Sequence, residues 1–195
     1  LVLAGLIRLG KTAFADFTAA LERIRYRRGR CDGYASRLHY FTDWICDNSR
    51  KRLVRDMTRE IGGIPFRKAF HRLSDHREDH PGLDDPAAFR RLRISEGACA
   101  RRTLYFVPRA FLEASAGRLA EGDIIAVTTD ERGLDVSHAG LAVRLGDRLH
   151  LLHASSAAGK VLQSDLVLGR YLLAKRSRTG IIVCRAIEPP GRSAS

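Results

Sequence analysis

The sequence predicts an α+β domain in which helices come first and an antiparallel sheet follows them. Apolar residues recur at helical spacing in the first half, whereas from residue 103 short β-rich runs alternate with turn residues. This order is typical of an α+β fold. With 195 residues and 45% hydrophobic content, the chain can bury a core of its own. We therefore expect one domain over residues 1–195, with a flexible tail at residues 187–195.

The first half is predicted to hold three helices. The apolar run at residues 1–7 has the composition of a helix interior with no capping residue before it, so residues 1–9 are predicted to be helical. Thr12 is a candidate N-cap for a second helix. Residues 50–61 continue as helix or loop, and residues 71–86 are predicted to be an exposed connection. The buried face of the second helix is predicted to be Phe14, Phe17, Leu21 and Ile24, and a short third helix is indicated by Tyr40, Phe41, Trp44 and Ile45.

The second half is predicted to form the sheet. Gly122-Asp123 is interpreted as the turn that enters a strand, in preference to a ligand site. Gly146-Asp147 is interpreted as the two-residue loop of a hairpin. The predicted strands are residues 103–107, 124–128, 136–145, 149–154 and 181–184.

The start of the sequence suggests that the natural protein begins further upstream. Residue 1 is a leucine, the single methionine is Met57, and the apolar opening lacks a cap. We therefore expect a chain truncated at its N-terminus, and any targeting segment would lie in the missing part. No run approaches the ~20 apolar residues of a membrane-spanning helix, so none is predicted.

The charge is strongly basic, with a formal net charge of +12 and a pI near 10.3. Such a balance can indicate binding to nucleic acid, anionic membranes or acidic polymers. The arginines are spread over nearly the whole chain, however, and no nucleic-acid motif is present. A generic basic surface is therefore favoured, and a basic nucleic-acid-binding protein is kept as an alternative.

Cysteine and histidine spacing argues against a metal or redox centre. The four cysteines, which are Cys31, Cys46, Cys99 and Cys184, form no CxxC pair. His76 and His80 have the i, i+4 spacing of zinc ligands on a helix, but Pro81 follows at once and helical periodicity is missing. We expect no metal and no organic cofactor.

The strongest chemical signal is a pair of histidines on the predicted hairpin. With the two-residue loop, His138 lies opposite Ser155 and His153 lies opposite Gly140. His138 and His153 then share one face of the sheet as diagonal neighbours, with Cα atoms roughly 7–8 Å apart. One imidazole can therefore orient the other through a ring N–H hydrogen bond. His150 has the opposite parity and is left out of the site.

The surroundings of this pair favour a catalytic site over a structural one. The neighbours are small and leave room for a substrate or a nucleophile: Ala139, Gly140, Ala154, Ser155 and Ser156. A base with an orienting partner implies a nucleophile. None of the four cysteines stands at a clear helix N-terminus, where a thiol pKa would be lowered. We therefore expect a hydrolytic site whose nucleophile is absent from this chain.

Short motifs in this region resemble a known family. The catalytic block of NlpC-type cell-wall cysteine peptidases, which have a papain-like fold, is similar to EGDII at residues 121–125, SHAG at 137–140 and LHASS at 152–156. Residues 34–40, YASRLHY, together with Trp44, look like the branch of N-acetylmuramoyl-L-alanine amidase-like proteins. The order and spacing of the motifs are more specific than each motif alone.

The resemblance implies a Cys-His-His hydrolase of the bacterial cell envelope, periplasmic or secreted, that acts on peptidoglycan stem peptides. His138 matches the general base and His153 matches the third polar residue. The nucleophile of the family is a Cys at the start of a helix, which implies that it was lost just upstream of Leu1. This chain by itself is then expected to be inactive. A non-catalytic module that binds cell-wall peptides stays open as an alternative, and a two-His metal hydrolase lacks a third ligand.

The aromatic stretch around residue 40 has two interpretations. In one, Tyr34, Arg37 and His39 line the substrate cleft together with Ser137, and Arg37 holds a substrate carboxylate through two parallel hydrogen bonds. In the other, the aromatic side chains only pack the third helix onto the sheet: Tyr40, Phe41 and Trp44.

Overall fold

The computed structural model describes residues 13–188. The helices are α1 (Phe14–Arg25), α2 (Phe41–Arg50), α3 (Arg72–Asp75), α4 (Pro86–Ala100), α5 (Leu112–Ser115) and α6 (Leu168–Leu173). The strands are β1 (Val54–Asp56), β2 (Ile64–Phe66), β3 (Leu104–Pro108), β4 (Ile124–Thr129), β5 (Val136–Leu145), β6 (Arg148–Ser155), β7 (Lys160–Val167) and β8 (Arg178–Ala186). Within this part of the chain, no helix combines the length and hydrophobicity that a membrane span requires.

All the strands belong to one antiparallel sheet, which confirms the predicted mixed fold of helices and antiparallel sheet. The order across the sheet is β2-β3-β8-β4-β5-β6-β7, and β1 also pairs with β8. The last strand in sequence is therefore central in space. Its Ile181 pairs with Val107 of β3 on one side and with Val127 of β4 on the other.

The central strands are buried on both faces, because helices and loops cover each side of the sheet. Ile181 and Val183 of β8 point into one core, together with Ile125 and Val127 of β4. The intervening Ile182 faces a second core beneath α2. Double burial explains why these strands are continuous apolar runs without the alternation of a half-exposed strand.

A third core lies beneath α4, a helix that the sequence reading did not predict. Asp85 caps it by accepting hydrogen bonds from the backbone N–H groups of Ala87 and Ala88, and Pro86 occupies its first turn. This Asp-Pro pair is a recognisable start signal, since an acidic N-cap followed by proline favours helix initiation. The exposed connection predicted at residues 71–86 is exposed or half-buried over most of its length, but two of its leucines belong to the third core. Leu83 and Leu73 of that segment are buried against α4.

Several local predictions differ from the structure. Residues 50–61, predicted to be helix or loop, contain the short strand β1. Strand β7 and helix α6 were not predicted. In β7, the polar residues Gln163, Ser164 and Asp165 interrupt the apolar pattern. Helix α1 forms as expected but none of its residues is fully buried, and Phe14 is 77% exposed. The expected helix at residues 1–9, the Thr12 cap and residues 189–195 of the tail lie outside the described residues.

The hairpin between β5 and β6 has the predicted register. Gly146 adopts the left-handed conformation, with φ +56°, that a tight two-residue turn requires. Leu145 pairs with Arg148, and the ladder runs from there to Leu141 and Leu152. This register determines which side chains of the two strands share a face.

Gly122-Asp123 forms the predicted turn that leads into β4, and a buried carboxylate fixes it. Gly122 has φ +82°. Asp123, 1% exposed, accepts a hydrogen bond of 2.8 Å from the backbone N–H of Ala120. Its two carboxylate oxygens also accept hydrogen bonds of 2.7 and 2.9 Å from the guanidinium of Arg185. Asp123 therefore ties the start of β4 to the end of β8.

Asp123→Ala should lower the free energy of unfolding by about 3 kcal/mol. Losing one partner of a buried ion pair costs about 3–5 kcal/mol, and Arg185 is partly exposed, which places the loss at the low end. Urea denaturation of Asp123→Ala and of the exposed neighbour Glu121→Ala measures the difference. The control should change by less than about 0.5 kcal/mol, and equal values for the two variants would contradict the structural role.

Candidate active site

Two imidazoles meet on the β5–β6 hairpin, which confirms their predicted proximity. His138 Nε2 lies 2.8 Å from His153 Nδ1, with ring centroids 4.8 Å apart and an interplanar angle of 87°. The ladder between the strands ends at Leu141 and Leu152, so the predicted direct pairs of His138 with Ser155 and His153 with Gly140 are not among the described backbone pairings. His138 instead pairs with Val127 of β4. The two rings therefore meet from diagonal positions. The backbone of His138 pairs with β4, and that of His153 pairs with β7.

Glycine is required at position 140, two residues after His138 on β5. A Cβ atom at Gly140 would lie 2.6 Å from the carbonyl oxygen of Leu152 and 2.9 Å from the side chain of Leu151. Such distances are too short for any side chain without a backbone shift. The close approach of β5 to β6 beside the histidine pair therefore depends on this residue.

An aromatic support behind the histidine pair was not foreseen from the sequence. The ring of Tyr171 from α6 lies 5.4 Å from the His153 ring and 6.5 Å from the His138 ring, centroid to centroid. The guanidinium of Arg178 stacks on the other side at 3.9 Å from the Tyr171 centroid and donates to the Tyr171 carbonyl. Neither residue belongs to a motif, because their positions depend on how α6 and β8 pack.

The electrostatics of the pair favour a neutral His138. Burial lowers the pKa of this side chain below 6.5, and the electrostatic influence of His153, Arg178 and Lys175 lowers it further. A neutral imidazole has an unprotonated ring nitrogen and can accept a proton at neutral pH.

The hydrogen bond between the rings divides the roles of the two His138 nitrogens. Nε2 is engaged by His153, while no residue between 13 and 188 forms a hydrogen bond with Nδ1. If Nε2 carries the proton and donates to His153 Nδ1, then Nδ1 of His138 is free to take a proton from a reacting group. The arrangement therefore suits a general base whose orientation is set by its neighbour.

His138 opens into a pocket of about 310 Å³. The side chains of Phe41 and Trp44 from α2 form one wall and stack on each other with centroids 5.3 Å apart. The remaining lining residues are Leu38, His39, Leu134, Asp135, Val136, Ser137 and Ala139. The pocket is therefore mostly apolar, and both of its histidines, His39 and His138, have lowered pKa values.

A buried carboxylate joins the two walls of this pocket. Asp135 accepts 2.8 Å hydrogen bonds from the backbone N–H groups of Thr42 in the first turn of α2 and of Val136 at the start of β5. Burial raises the pKa of Asp135, although both hydrogen bonds act to lower it. Asp135 thus ties the helix that carries Trp44 to the strand that carries His138.

Of the predicted substrate-binding residues, the structure brings His39 and Ser137 into the His138 pocket. Tyr34 stands behind His39 with ring centroids 4.7 Å apart, and its carbonyl oxygen lies 3.0 Å from His39 Nε2. Burial lowers the His39 pKa to about 4, so this ring is neutral at physiological pH. Arg37 is exposed, and within the described part of the chain neither Arg37 nor Tyr34 belongs to the lining.

The four cysteines stand apart from the pocket, and all are free thiols. Cys31 is exposed in a loop and Cys46 is half-buried in the middle of α2. Burial raises the pKa of Cys99 to about 12, and it also raises the pKa of Cys184 above its usual range. None of them lines the His138 pocket in the region between residues 13 and 188.

A group of side chains that could share a cation lies elsewhere. In the described part of the chain, the ligand atoms of His76, Glu78 and Asp79 fall within 4.8 Å of one another on the connection before α4. His80, which the sequence placed beside them, instead has its Nδ1 3.1 Å from the hydroxyl of Tyr34. These groups are not part of the His138 pocket.

In an NMR titration, His138 should show a midpoint below 6.5. Because the unfolded state then binds more protons between this midpoint and pH 6.5, the free energy of unfolding should rise with pH across that window. Lys175→Gln removes a positive neighbour and should raise the His138 midpoint, whereas the exposed Lys160→Gln should leave it unchanged. A midpoint at or above 6.5 would contradict the proposed neutral base.

Comparisons of the sequence and of the structure with known proteins point to the same family. The sequence pattern of the family described as N-acetylmuramoyl-L-alanine amidase-like matches residues 5–181. A search of curated proteins found no match.

Solved structures resemble the chain over most of its length. A structure of an N-acetylmuramoyl-L-alanine amidase from Bacteroides uniformis is 35% identical, with a TM-score of 0.85 over 89% of this chain and 74% of that one. Another amidase from the same organism is 31% identical, with a TM-score of 0.83 over 95% and 80%. A protein described as a putative xylanase from Bacteroides fragilis is 37% identical, with a TM-score of 0.86 over 94% and 83%. The chain belongs to the N-acetylmuramoyl-L-alanine amidase-like family.

Proposed function

We propose that this site serves a cysteine amidase of the papain-like, NlpC-type class, which hydrolyses an amide bond of bacterial peptidoglycan. The observation that carries the proposal is the 2.8 Å contact between His138 Nε2 and His153 Nδ1. It leaves Nδ1 of His138 as the only ring nitrogen of that residue available to a nucleophile. Family membership adds the amide substrate, since the amidase neighbours share this fold.

In the proposed mechanism, His138 moves one proton in each direction. Nδ1 takes the proton of a cysteine thiol, and the thiolate attacks the substrate carbonyl carbon to form a tetrahedral oxyanion. As the C–N bond breaks, the imidazolium returns its proton from Nδ1 to the leaving amine and a thioester remains. Water then loses a proton to Nδ1, attacks the thioester and releases the acid and the thiol.

His153 acts as a positioning residue throughout this cycle. Its Nδ1 accepts the Nε2–H of His138, which fixes the tautomer and keeps Nδ1 of His138 directed at the nucleophile. A neutral imidazole stabilises the imidazolium less than a carboxylate would. Burial, which is the largest cause of the lowered His138 pKa, holds the base in its neutral form before the reaction.

The proposal requires a thiolate other than the four cysteines of this sequence. Cys99 and Cys184 are buried with raised pKa values, and neither Cys31 nor Cys46 lines the pocket. We propose a cysteine in a segment of the protein beyond this sequence, in line with the resemblance to NlpC-type enzymes. Without it, the chain binds peptidoglycan fragments but does not cleave them.

The proposed substrate region is the stem peptide. Phe41 and Trp44 supply apolar wall, while Ser137 and the neutral His39 supply hydrogen-bonding groups. Arg37 lies one residue from Leu38 of the lining and is proposed to contact a stem carboxylate at the margin of the pocket. Because peptidoglycan lies outside the cytoplasmic membrane, we place the protein in the periplasm or among secreted proteins.

Glycoside hydrolysis is less well supported, although one neighbour is described as a putative xylanase. Most glycosidases need two carboxyl groups that flank the scissile bond. Among residues 13–188, the only carboxylate lining the His138 pocket is Asp135, and its two oxygens already accept backbone N–H groups. A non-catalytic peptide-binding module stays as the second candidate, since it needs the pocket but no nucleophile.

His138→Ala should abolish amide hydrolysis, and His153→Ala should lower kcat by at least about a hundredfold, since general acid–base catalysis contributes about 10²–10⁴-fold. The protein is expressed from its complete gene and incubated with muropeptides, and mass spectrometry detects the released stem peptide. His76→Ala is the matched control because it removes a histidine outside the pocket. Activity that survives in His138→Ala would overturn the mechanism, and peptide binding without release by the parent protein would favour the binding module.

Arg37→Lys should lower kcat/KM for muropeptides at least about tenfold, or about 1.4 kcal/mol, without changing the melting temperature. Lysine keeps the charge but loses the planar fork that holds a carboxylate through two hydrogen bonds. Arg50→Lys, at an exposed position at the end of α2, is the control. An unchanged kcat/KM would mean that the aromatic segment around residue 40 only packs the helix onto the sheet and does not bind substrate.

A further inference from the structure

A basic cavity lies outside the His138 pocket, between the loop after α1 and helix α4. Its volume is about 700 Å³. Four guanidinium groups and one carboxylate line it: Arg27, Arg28, Arg30, Arg91 and Asp32. The cavity therefore has a strong excess of positive charge, which no step of the proposed amide hydrolysis uses.

Two of these arginines are held in place by ion pairs. Arg27 Nη2 lies 2.6 Å from Oδ2 of the buried Asp43 and 3.2 Å from the hydroxyl of Ser95. Arg91 Nη1 lies 3.2 Å from the exposed Asp32. These contacts stiffen the walls of the cavity.

The other two arginines have uncompensated side chains. Within residues 13–188, the guanidinium groups of Arg28 and Arg30 form no hydrogen bond or ion pair, and both residues are exposed. Because both residues line the same cavity, an anion bound there reduces the repulsion between their like charges.

The backbone at this place is also unusual. Arg28 has φ +57° and ψ +15°, a left-handed conformation that is rare for a residue with a Cβ atom. Its backbone N–H donates to the carboxylate of Asp47, so the surrounding structure holds the strained residue. Strain of this kind concentrates at functional sites and binding clamps.

We propose that this cavity binds the phosphate group of a phosphate ester. A carboxylate has one charge and two oxygens and is saturated by a single guanidinium fork. A phosphate has up to two charges and more acceptor oxygens, which matches two free guanidiniums at one site. Ile94 lines the same cavity and is 69% exposed, which gives apolar surface for the organic part of the ester. The source is either a soluble ester or the headgroup of an anionic lipid.

The test measures phosphate binding without reference to amide hydrolysis. Calorimetric titration at low salt with inorganic phosphate and with glycerol 3-phosphate should show saturable binding to the parent protein. Arg28→Gln with Arg30→Gln should weaken both at least about tenfold, because glutamine keeps the backbone N–H but removes the charge. Arg90→Gln, on the same helix as Arg91 but outside the cavity, should bind as the parent does. An equal melting temperature for the double variant shows that folding is intact.

A second arm separates the two sources. The amount of protein that sediments with vesicles of phosphatidylglycerol and phosphatidylcholine is compared for the parent and the double variant. If the ligand is a lipid headgroup, the double variant should sediment less than the parent. If the ligand is a soluble ester, the two proteins should sediment equally. The proposal is overturned if the double variant binds phosphate as well as the parent, if Arg90→Gln loses as much affinity, or if glutarate binds more tightly than phosphate.

Discussion

The β5–β6 register is the constraint on which the candidate site depends. A slip of one residue would move His153 to the opposite face of the sheet and end its contact with His138. The left-handed Gly146 turn sets the register at one end, and the close approach at Gly140 limits it at the other. The contact between the imidazoles is therefore a property of backbone pairing more than of side-chain flexibility.

Charge and burial then adjust what the pair can do. Tyr171 packs beside the two imidazoles and Arg178 stacks on Tyr171, while positive neighbours disfavour a positive charge on His138. An acid–base residue works best when its pKa lies near the working pH. Burial and the positive neighbours Arg178 and Lys175 therefore both favour an unprotonated His138.

Much of this arrangement could be predicted from the sequence because it depends on local rules. The hairpin loop and side-chain parity predicted the histidine pair, and turn chemistry predicted the turn at Gly122-Asp123 but not the contacts of the Asp123 carboxylate. Helix α4 was missed although Asp85-Pro86 signalled its start. The contribution of Tyr171 could not be foreseen, since it needs the packing of α6 against a sheet whose order is not written in any local pattern. His39 lines the pocket while Arg37 does not, because that choice depends on the path of an irregular segment.

Asp135 also has a consequence for how this protein tolerates change. Because one carboxylate accepts backbone N–H groups from both walls of the pocket, it resists separation of the helix that carries Trp44 from the strand that carries His138. A change in substrate range would then require different side chains on the pocket walls, not a change in the backbone that supports them. In a mutational screen, losses at position 135 would look like lost activity while their origin is a misassembled pocket.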